Sequence, residues 1–312
     1  MAGAVSSRGC RRLRSSQIRD LLDTKHCVLF DCDGVIWNGE KAVVGAPEVV
    51  SLLKKRGKNV FFVTNNCTRP RESYVQKFSR LGFKDVGQNE ILSSAYCSAL
   101  YLRDVAKVQG KVFVIGGDGM YKELRQAGIP FVGGESDAAG VTISDCPLDS
   151  DIKAVLVGYD DKLNFMKLAK ACCYLRNPEC LFLATDTDPW HPLREGRVIP
   201  GSGSLTAALE TATDRKATVI GKPSRFMFEC IASQFAVDPA RSLMVGDRLK
   251  TDILFGASCG VDTVLTLTGV STLEEARSYR DSYAPEEQAF VPDYVVDTIA
   301  DFLPALEDGG TL

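Results

Sequence analysis

Two aspartates separated by a single cysteine follow an apolar run near the start of the chain. In the stretch VLFDCDGVIW, Asp31 and Asp33 come directly after this run. A capped turn is one explanation, because Asp-Gly is a common turn pair. Two carboxylates this close repel each other, however, unless something positive lies beside them. The stretch therefore indicates either a turn or a site built around paired acids.

A second acidic stretch, MVGDRLKTD, places Asp247 and Asp252 after another apolar run. Taken alone, this stretch could simply be the start of a helix, where the helix dipole favours acidic residues. Three or four carboxylates gathered in one pocket would need a cation to neutralise them. Mg²⁺ is the natural choice, because it prefers oxygen ligands and the chain has only 2 histidines on which a zinc site could be built. The acids together predict a magnesium site.

Uncharged polar residues and one lysine follow two further apolar runs. FVTNNCTRP supplies Thr64, Asn65 and Asn66, and IGKPSRF supplies Lys222. Hydroxyl, amide and backbone N–H groups suit phosphate oxygens, although the same residues also occur in ordinary turns. Most lysines are solvated surface charges, but one that follows a strand into a carboxylate pocket can hold both the carboxylates and a phosphate. These residues predict a phosphate-binding group.

The elements that would position these residues alternate between strand and helix. Apolar runs of strand length alternate with helical periodicity from CVLFD to RESYVQKFSRLG, and again from ATVIG to TVLTLTG. Such alternation predicts a Rossmann-like, doubly wound parallel sheet with helices on both faces. Ligands bind these sheets at the carboxyl ends of the strands, where Asp31, Thr64, Lys222 and Asp247 are expected.

The middle of the chain predicts a second α/β unit. Residues 107–214 contain the strand-like runs KVFVIGG, AVLVGYD and CLFLATD and the helical segment NFMKLAKACCYLR. The Gly-, Ser- and Asp-rich stretch FVGGESDAAGVTISDCPLDS indicates an exposed loop within it. We therefore expect a core formed by residues 1–106 and 215–312, interrupted by a unit of ordinary domain size.

Composition disfavours several classes of function. The 312 residues are 45% hydrophobic and 25% charged with a formal charge of -3, so we expect a soluble protein without a nucleic-acid partner. No apolar run approaches the roughly 18 residues of a transmembrane segment. The 11 cysteines include no Cys-x-x-Cys pair, which favours reduced thiols in the cytosol over a zinc site. The Arg- and Ser-rich start could be a mitochondrial presequence, but we favour a frayed start leading into a helix capped by Ser15 or Ser16.

The motifs DCDGV, VTNN, GKPS and GDRLKTD, in this order, resemble those of the haloacid dehalogenase-superfamily phosphatases. The resemblance covers nearly the whole chain and implies an α/β core with an α/β cap domain inserted between the second and third motifs. It makes Asp31 the nucleophile that forms an aspartyl-phosphate and Asp33 the general acid and base. It also implies Mg²⁺ held by Asp31, the backbone carbonyl of Asp33 and Asp247, with Asp252 orienting a metal-bound water or Lys222.

The phosphate loop departs from its relatives in part. They often carry Ser and Arg where this chain has Thr64, Cys67 and Thr68, although Arg69 lies one position further on. Thr64 keeps the hydroxyl group, so we expect phosphate binding to survive the change.

The stretch ATDTDPWHPLREGRVIPGSGSL is similar to the pyridoxal phosphate phosphatases of this family. By that resemblance, His191 and Pro192 lie in a cap loop that contacts the substrate, and Tyr159 is a further contact. The implied activity is hydrolysis of pyridoxal 5'-phosphate and related vitamin B6 phosphates, with phosphoserine in a protein as a further substrate. The alternatives are phosphoglycolate or another small phosphomonoester, and a phosphate sensor without catalysis. Relatives dimerise through their caps, which implies a homodimer.

Overall fold

The computed structural model describes residues 9–133 and 147–307, which form two compact units. The first unit contains Met1–Val63, Val75–Ile91 and Phe228–Leu312, and the second contains Thr64–Tyr74 and Leu92–Met227. Most of the predicted exposed loop falls on residues outside the described ranges. Within those ranges, no helix has both the length and the apolar character that crossing a membrane requires.

The first sheet has seven strands. In spatial order they are β1 (Arg11–Arg12), β16 (Tyr294–Val296), β15 (Asp262–Thr266), β14 (Ser242–Gly246), β2 (Cys27–Phe30), β5 (Asn59–Thr64) and β6 (Ile91–Ser93). The pairings from β1 across to β5 are parallel. The direction of winding reverses between β2 and β14, which is the switch point at which such sheets bind ligands. The predicted Rossmann-like parallel sheet is confirmed.

Strands β2 and β14, on either side of the switch point, are buried along their whole length. Their sequences, CVLF and SLMVG, are continuous runs of apolar and small residues rather than alternating ones. That pattern is typical of parallel strands covered on both faces. The two strands therefore form a rigid base for the residues that follow them.

The second sheet has five parallel strands and belongs to the second unit. In spatial order they are β13 (Thr218–Val219), β10 (Leu181–Ala184), β9 (Ile152–Val157), β7 (Lys111–Ile115) and β8 (Phe131–Gly133). The sequence pattern assigned β13 to the first sheet, whereas it pairs with β10. Two residues carry too little periodicity to show which sheet they join. The expected middle unit, 107–214, lies inside Leu92–Met227, which extends further on both sides.

Helices and short helical segments connect the strands. The α-helices of the described ranges are α1 (Ser15–Thr24), α2 (Ala46–Lys55), α3 (Arg71–Arg80), α4 (Ser94–Leu100), α5 (Asp118–Gln126), α6 (Phe165–Leu175), α7 (Ser202–Thr213), α8 (Phe226–Phe235), α9 (Leu254–Cys259), α10 (Leu273–Arg280) and α11 (Leu303–Glu307). The 3₁₀ segments are Gln88–Glu90, Arg194–Gly196, Pro239–Arg241, Glu287–Phe290 and Ile299–Phe302, and the π segments are Tyr101–Val105 and Leu249–Ile253.

Two sequence expectations about local structure need correction. Helix α1 begins at Ser15 with Arg14 at its N-cap, so neither Ser15 nor Ser16 caps it. The backbone N–H of Arg14 instead donates to the side-chain oxygen of Gln17.

The segment expected to be a loop around His191 is a β-hairpin of β11 (Trp190–Pro192) and β12 (Val198–Pro200). Prolines in both strands hid this pairing, because proline usually argues against a strand. A second two-stranded pair joins β3 (Trp37–Asn38) and β4 (Lys41–Ala42).

Candidate active site

Three carboxylates lie together at the carboxyl ends of β2 and β14. Asp31 follows β2, and its backbone N–H donates to the carbonyl of Val245 in β14 at 2.9 Å. Asp247 follows β14 directly, and Asp252 lies in the π segment after it. One oxygen from each of Asp31, Asp247 and Asp252 lies within 4.8 Å of the others, and all three residues are buried. The first unit thus brings together three of the acids singled out in the sequence.

Asp252 anchors the loop that carries Asp247. Its Oδ2 accepts hydrogen bonds from the backbone N–H groups of Asp247 and Arg248, both at 3.0 Å. Charge-assisted bonds of this kind are stronger than neutral ones. Asp252 therefore fixes the backbone at Asp247 and also contributes a third carboxyl group to the site.

The Asp247 side chain is enclosed by backbone. Its Oδ2 accepts from the N–H of Val270 at 2.8 Å, and its carbonyl accepts from the N–H of Ser271 at 3.0 Å. A Cβ atom at Gly269 would lie 1.8 Å from Oδ2, and one at Gly34 would lie 2.5 Å from it. Only glycine fits at these two positions while Asp247 stays in place.

Electrostatics favour a cation beside these acids. Burial, together with the neighbouring carboxylates of Asp252 and Asp31, raises the pKa of Asp247 well above its usual range. A folded protein that must keep three carboxylates in one buried place gains from a bound positive ion. The donor atoms are all oxygens, which suits a hard divalent ion such as Mg²⁺.

Asp33 is exposed, in contrast to Asp31. Its Oδ1 accepts a hydrogen bond from the indole N–H of Trp37 at 2.9 Å. Gly34, which lies between Asp33 and Trp37 in the chain, has a φ of +91°, a conformation that glycine adopts at no steric cost. The tight loop after β2 therefore turns the second aspartate outward while Asp31 stays buried.

In the second unit, Asn65 and Lys222 are joined by two hydrogen bonds. The backbone N–H of Lys222 donates to Asn65 Oδ1 at 2.8 Å, and Asn65 Nδ2 donates to the Lys222 carbonyl at 3.0 Å. Both residues are buried. A Cβ at Gly221 would lie 2.7 Å from Asn65 Oδ1, so glycine permits this close pairing. The structure therefore brings these two motifs together, although they are 157 positions apart in the chain.

Thr64 and Asn66 shape the loop that follows β5. The hydroxyl of Thr64 accepts from the Asn66 N–H at 3.1 Å, and Asn66 Oδ1 accepts from the N–H and hydroxyl of Thr68 at 3.0 and 2.7 Å. The Asn66 side chain thus forms a local turn of the kind that the sequence analysis left open.

Tyr159 and His191 contact each other within the second unit. Their rings meet edge to face with centroids 5.7 Å apart. The Tyr159 N–H donates to the Sγ of Cys67 at 3.2 Å, which links Tyr159 to the loop after β5. Pro192, the neighbour of His191 in β11, is exposed. Two residues that the sequence named separately therefore form one aromatic pair.

Sequence reasoning missed Trp37, Gly269 and Val270. Trp37 lies four positions beyond Asp33, in a stretch that read as apolar, and its indole nitrogen gave no signal of a polar contact. Gly269 and Val270 lie in the run TLTGVS, more than 20 positions beyond Asp247. The Thr-Gly pair after an apolar run was the available hint, since glycine often marks a close approach of backbone.

Comparisons with known proteins identify the family of the chain. Residues 28–130 match the family model for haloacid dehalogenase-like hydrolases, and residues 219–302 match a second, HAD-hydrolase-like model. Chronophin from Homo sapiens is 52% identical over 303 residues, covering 96% of this chain and 99% of that protein. The chain belongs to the haloacid dehalogenase-like hydrolase family. The family resemblance found in the motifs is thereby confirmed.

Two further members of the family are similar over most of the chain. Glycerol-3-phosphate phosphatase from Gallus gallus is 48% identical over 310 residues, covering 98% of this chain and 99% of that protein. The crystal structure of a glycerol phosphate phosphatase from Mycobacterium tuberculosis in complex with magnesium is 26% identical. It has a TM-score of 0.74 and covers 90% of this chain and 78% of that one.

The candidate residues of this haloacid dehalogenase-like hydrolase differ in how the family models cover them. The matched segments include the three grouped acids and Lys222. Tyr159, His191 and Pro192 lie between the two segments. The family models therefore carry no information about the residues that the sequence analysis assigned to substrate choice.

Proposed function

We propose that this chain is a magnesium-dependent phosphomonoesterase that hydrolyses pyridoxal 5'-phosphate and related vitamin B6 phosphates through an aspartyl-phosphate. The observation that carries the proposal is the buried group of Asp31, Asp247 and Asp252 at the switch point of the parallel sheet. The chronophin relative, 52% identical over 96% of this chain, supports the pyridoxal phosphate phosphatase assignment.

The metal would be held by the carboxylates of Asp31 and Asp247 and by the backbone carbonyl of Asp33. When bound, Mg²⁺ supplies positive charge that offsets the repulsion between the nucleophile and a phosphate dianion. The related structure that contains magnesium supports the choice of ion. Asp252 positions Asp247 through the two backbone hydrogen bonds that it accepts.

Asp31 acts as the nucleophile, because its carboxylate is buried directly after β2 and its backbone N–H is held by the carbonyl of Val245. Asp33 protonates the leaving alcohol as the ester bond breaks, and it then takes a proton from the water that hydrolyses the aspartyl-phosphate. The different surroundings of the two acids fit these duties, since Asp33 is exposed and Asp31 is buried.

We assign the phosphate-binding role to Thr64, Asn65, Asn66 and Lys222, following the family pattern. Asn65 supports this role because its side chain binds both the backbone N–H and the backbone carbonyl of Lys222. The lysine ammonium group offers the positive charge that a phosphate needs. In this proposal, residues 107–214 serve as the cap, and the phosphate-binding residues belong to the core.

Tyr159, His191 and Pro192 are assigned to recognition of the pyridine ring. The edge-to-face pair of Tyr159 and His191 offers an aromatic surface, and imidazole can hydrogen-bond to the substituents of the ring. The hairpin that carries His191 also exposes Trp190, Leu193 and Val198. We propose that these apolar side chains support a homodimer through the cap.

The test is a parallel assay of phosphate release from pyridoxal 5'-phosphate, glycerol 3-phosphate, phosphoglycolate and p-nitrophenyl phosphate. Wild-type protein should favour pyridoxal phosphate, lose activity in EDTA, regain it with Mg²⁺ and be inhibited by Ca²⁺, which prefers more and longer oxygen contacts. Asp31→Asn should lose at least about a thousandfold in turnover, because an amide cannot act as the nucleophile. Undiminished phosphate release by Asp31→Asn would refute the mechanism.

Replacement of His191 tests the substrate assignment. His191→Ala should weaken pyridoxal phosphate turnover by about 1–3 kcal/mol in transition-state terms and change p-nitrophenyl phosphate turnover much less. Arg197→Ala, at an exposed position directly before the partner strand of the hairpin and outside the proposed dimer surface, is the matched control and should behave as wild type. If His191→Ala lost turnover equally on both esters, His191 would have no specific role in recognising pyridoxal phosphate.

A second candidate is another small phosphomonoester, and the similarity to a glycerol-3-phosphate phosphatase favours that alternative. The same substrate panel decides between the two. A phosphoserine protein is a further substrate class, tested by adding a phosphopeptide to the panel. The 10 cysteines of the described ranges are all free thiols, which supports a reducing compartment such as the cytosol.

A further inference from the structure

The carboxylate of Asp33 is held by a buried indole. Trp37 has no exposed surface, and its indole N–H donates to Asp33 Oδ1 at 2.9 Å. The backbone closes the same loop, because the Gly34 N–H donates to the Trp37 carbonyl at 2.8 Å and the Trp37 N–H to the Cys32 carbonyl at 3.1 Å. Since the indole is packed and the carboxylate is exposed, the indole is the fixed member that orients the acid.

A second charged group lies over the ring of the same indole. The Nζ atom of Lys77, in α3, lies 4.0 Å from the centroid of the Trp37 ring. Lys77 is 5% exposed and has Glu40 at 3.9 Å. Phe78 packs its ring against Trp37 at a centroid distance of 4.8 Å. A buried ammonium group needs such partners, and the face of an indole is the best aromatic one.

The two contacts of the indole strengthen each other. An ammonium group over the ring draws electron density from it, which makes the indole N–H a better donor. A carboxylate that accepts from the N–H returns density to the ring and so improves the cation–π contact. Lys77, Trp37 and Asp33 therefore form one polarised chain that ends at the acid.

We propose that Trp37, reinforced by Lys77, is a positioning residue for general acid–base catalysis by Asp33. This inference rests on the phosphatase function proposed above. With Oδ1 occupied as an acceptor from the indole, the protonated acid carries its proton on Oδ2. That proton passes to the leaving alkoxide oxygen as the phosphorus–oxygen bond breaks and Asp31 gains the phosphoryl group. In the second step, Oδ2 takes a proton from the attacking water.

The experiment compares kcat/KM for two esters in Trp37→Phe, which keeps a ring but removes the N–H donor. Pyridoxal phosphate releases an alkoxide that needs a proton, whereas p-nitrophenolate leaves without one. Because kcat/KM reports only steps up to formation of the phosphoenzyme, water activation does not enter it. We expect pyridoxal phosphate to lose about 10- to 100-fold in kcat/KM and p-nitrophenyl phosphate to change less than about twofold.

The matched control is Phe83→Leu, which disturbs the same aromatic cluster through Phe78 without touching Trp37 or Asp33. It should change kcat/KM for both esters equally and slightly. Equal losses on both esters in Trp37→Phe would overturn the inference, because they would indicate a merely structural role. Wild-type protein that hydrolyses neither ester with Mg²⁺ would instead overturn the proposed function itself.

A second variant and a spectroscopic measurement keep the inference testable if Trp37→Phe does not fold. Lys77→Met keeps the apolar stem and removes the charge, and it should shift the ratio of the two kcat/KM values in the same direction by about two- to fivefold. In NMR spectra of wild-type protein, the Trp37 indole proton should exchange slowly and move upfield in Asp33→Ala. Trp190, 38% exposed, serves as the internal reference. A Trp37 proton that is insensitive to Asp33→Ala would exclude the hydrogen bond.

Discussion

Replacing Gly269 with alanine should weaken the proposed metal site through one added atom. The new Cβ would lie 1.8 Å from Asp247 Oδ2, 2.4 Å from its Cγ and 2.5 Å from its Cβ. Rotation of the Asp247 side chain cannot relieve the last of these contacts. The φ angle of Gly269 lies outside the left-handed region, so the substitution adds steric overlap without backbone strain at its own position.

The size of the effect follows from the distances. To reach the 3.4 Å at which ordinary contact begins, Oδ2 must retreat by about 1.6 Å, which breaks its 2.8 Å bond from the Val270 N–H. Overpacking of this kind costs about 1–3 kcal/mol, and loss of a hydrogen bond to a carboxylate adds about 1.5–3 kcal/mol. Mg²⁺ demands near-ideal geometry, so we expect its Kd to rise at least about tenfold, or 1.4 kcal/mol.

The assay is calorimetric titration of Mg²⁺ into EDTA-treated and dialysed protein, together with urea unfolding without metal. Gly117→Ala is the control, because a Cβ at Gly117 meets nothing within 4 Å and its φ is also ordinary. In a double-mutant cycle on unfolding free energy, Asp247→Gly should rescue at least about 1 kcal/mol of the loss in Gly269→Ala. Wild-type Mg²⁺ affinity in Gly269→Ala would refute the reasoning, because Asp247 would then not be confined by this glycine.

Three further predictions concern the buried acids. Asp252→Asn keeps an acceptor for the N–H groups of Asp247 and Arg248 but removes one charge. The metal-free protein should therefore melt at a higher temperature, and Mg²⁺ should raise its melting temperature by less than in wild type. Asp252→Ala, which also removes the acceptor, should lower the melting temperature both with and without Mg²⁺. Without metal, the raised pKa of Asp247 means that the folded state binds a proton that the unfolded state releases. Unfolding free energy should therefore fall as pH rises from about 4 towards neutral, and Asp247→Asn should flatten this slope. Burial, with Asp188 beside it, raises the pKa of Asp186 from 3.8 to about 7. The unfolding free energy should therefore also fall between about pH 4 and pH 7 through Asp186, whether or not Mg²⁺ is present. If urea titrations show the same pH slope in Asp186→Asn as in wild type, this prediction is contradicted.

Some parts of the candidate active site could be predicted from local sequence alone. Asp31 and Asp247 each follow a continuous apolar run, and such runs are buried parallel strands whose carboxyl ends carry ligand sites. The hydroxyl of Thr64 and the side-chain amide of Asn65 come at the end of another such run. Each signal is local, because burial of a short strand and the polarity of the residue after it are both encoded within a few positions.

Other parts depended on which segments become neighbours. Thr218–Val219 resembled a strand of the first sheet but pairs with β10, since two residues contain no information about their partner. The hairpin at His191 was hidden by the prolines in its strands. The indole of Trp37 was unremarkable as sequence, and only folding places it between a carboxylate and the ammonium group of Lys77.

The sequence by itself determined the parallel α/β class, the acidic residues at the strand ends and the family to which the chain belongs. The tertiary structure decided that Asp252 braces Asp247, that Gly269 confines it and that Asn65 holds Lys222. The physical reason is the range of the interactions. Strand burial and turn chemistry act between residues close in the chain, whereas these hydrogen bonds and steric limits act across spatial contacts that only the completed fold creates.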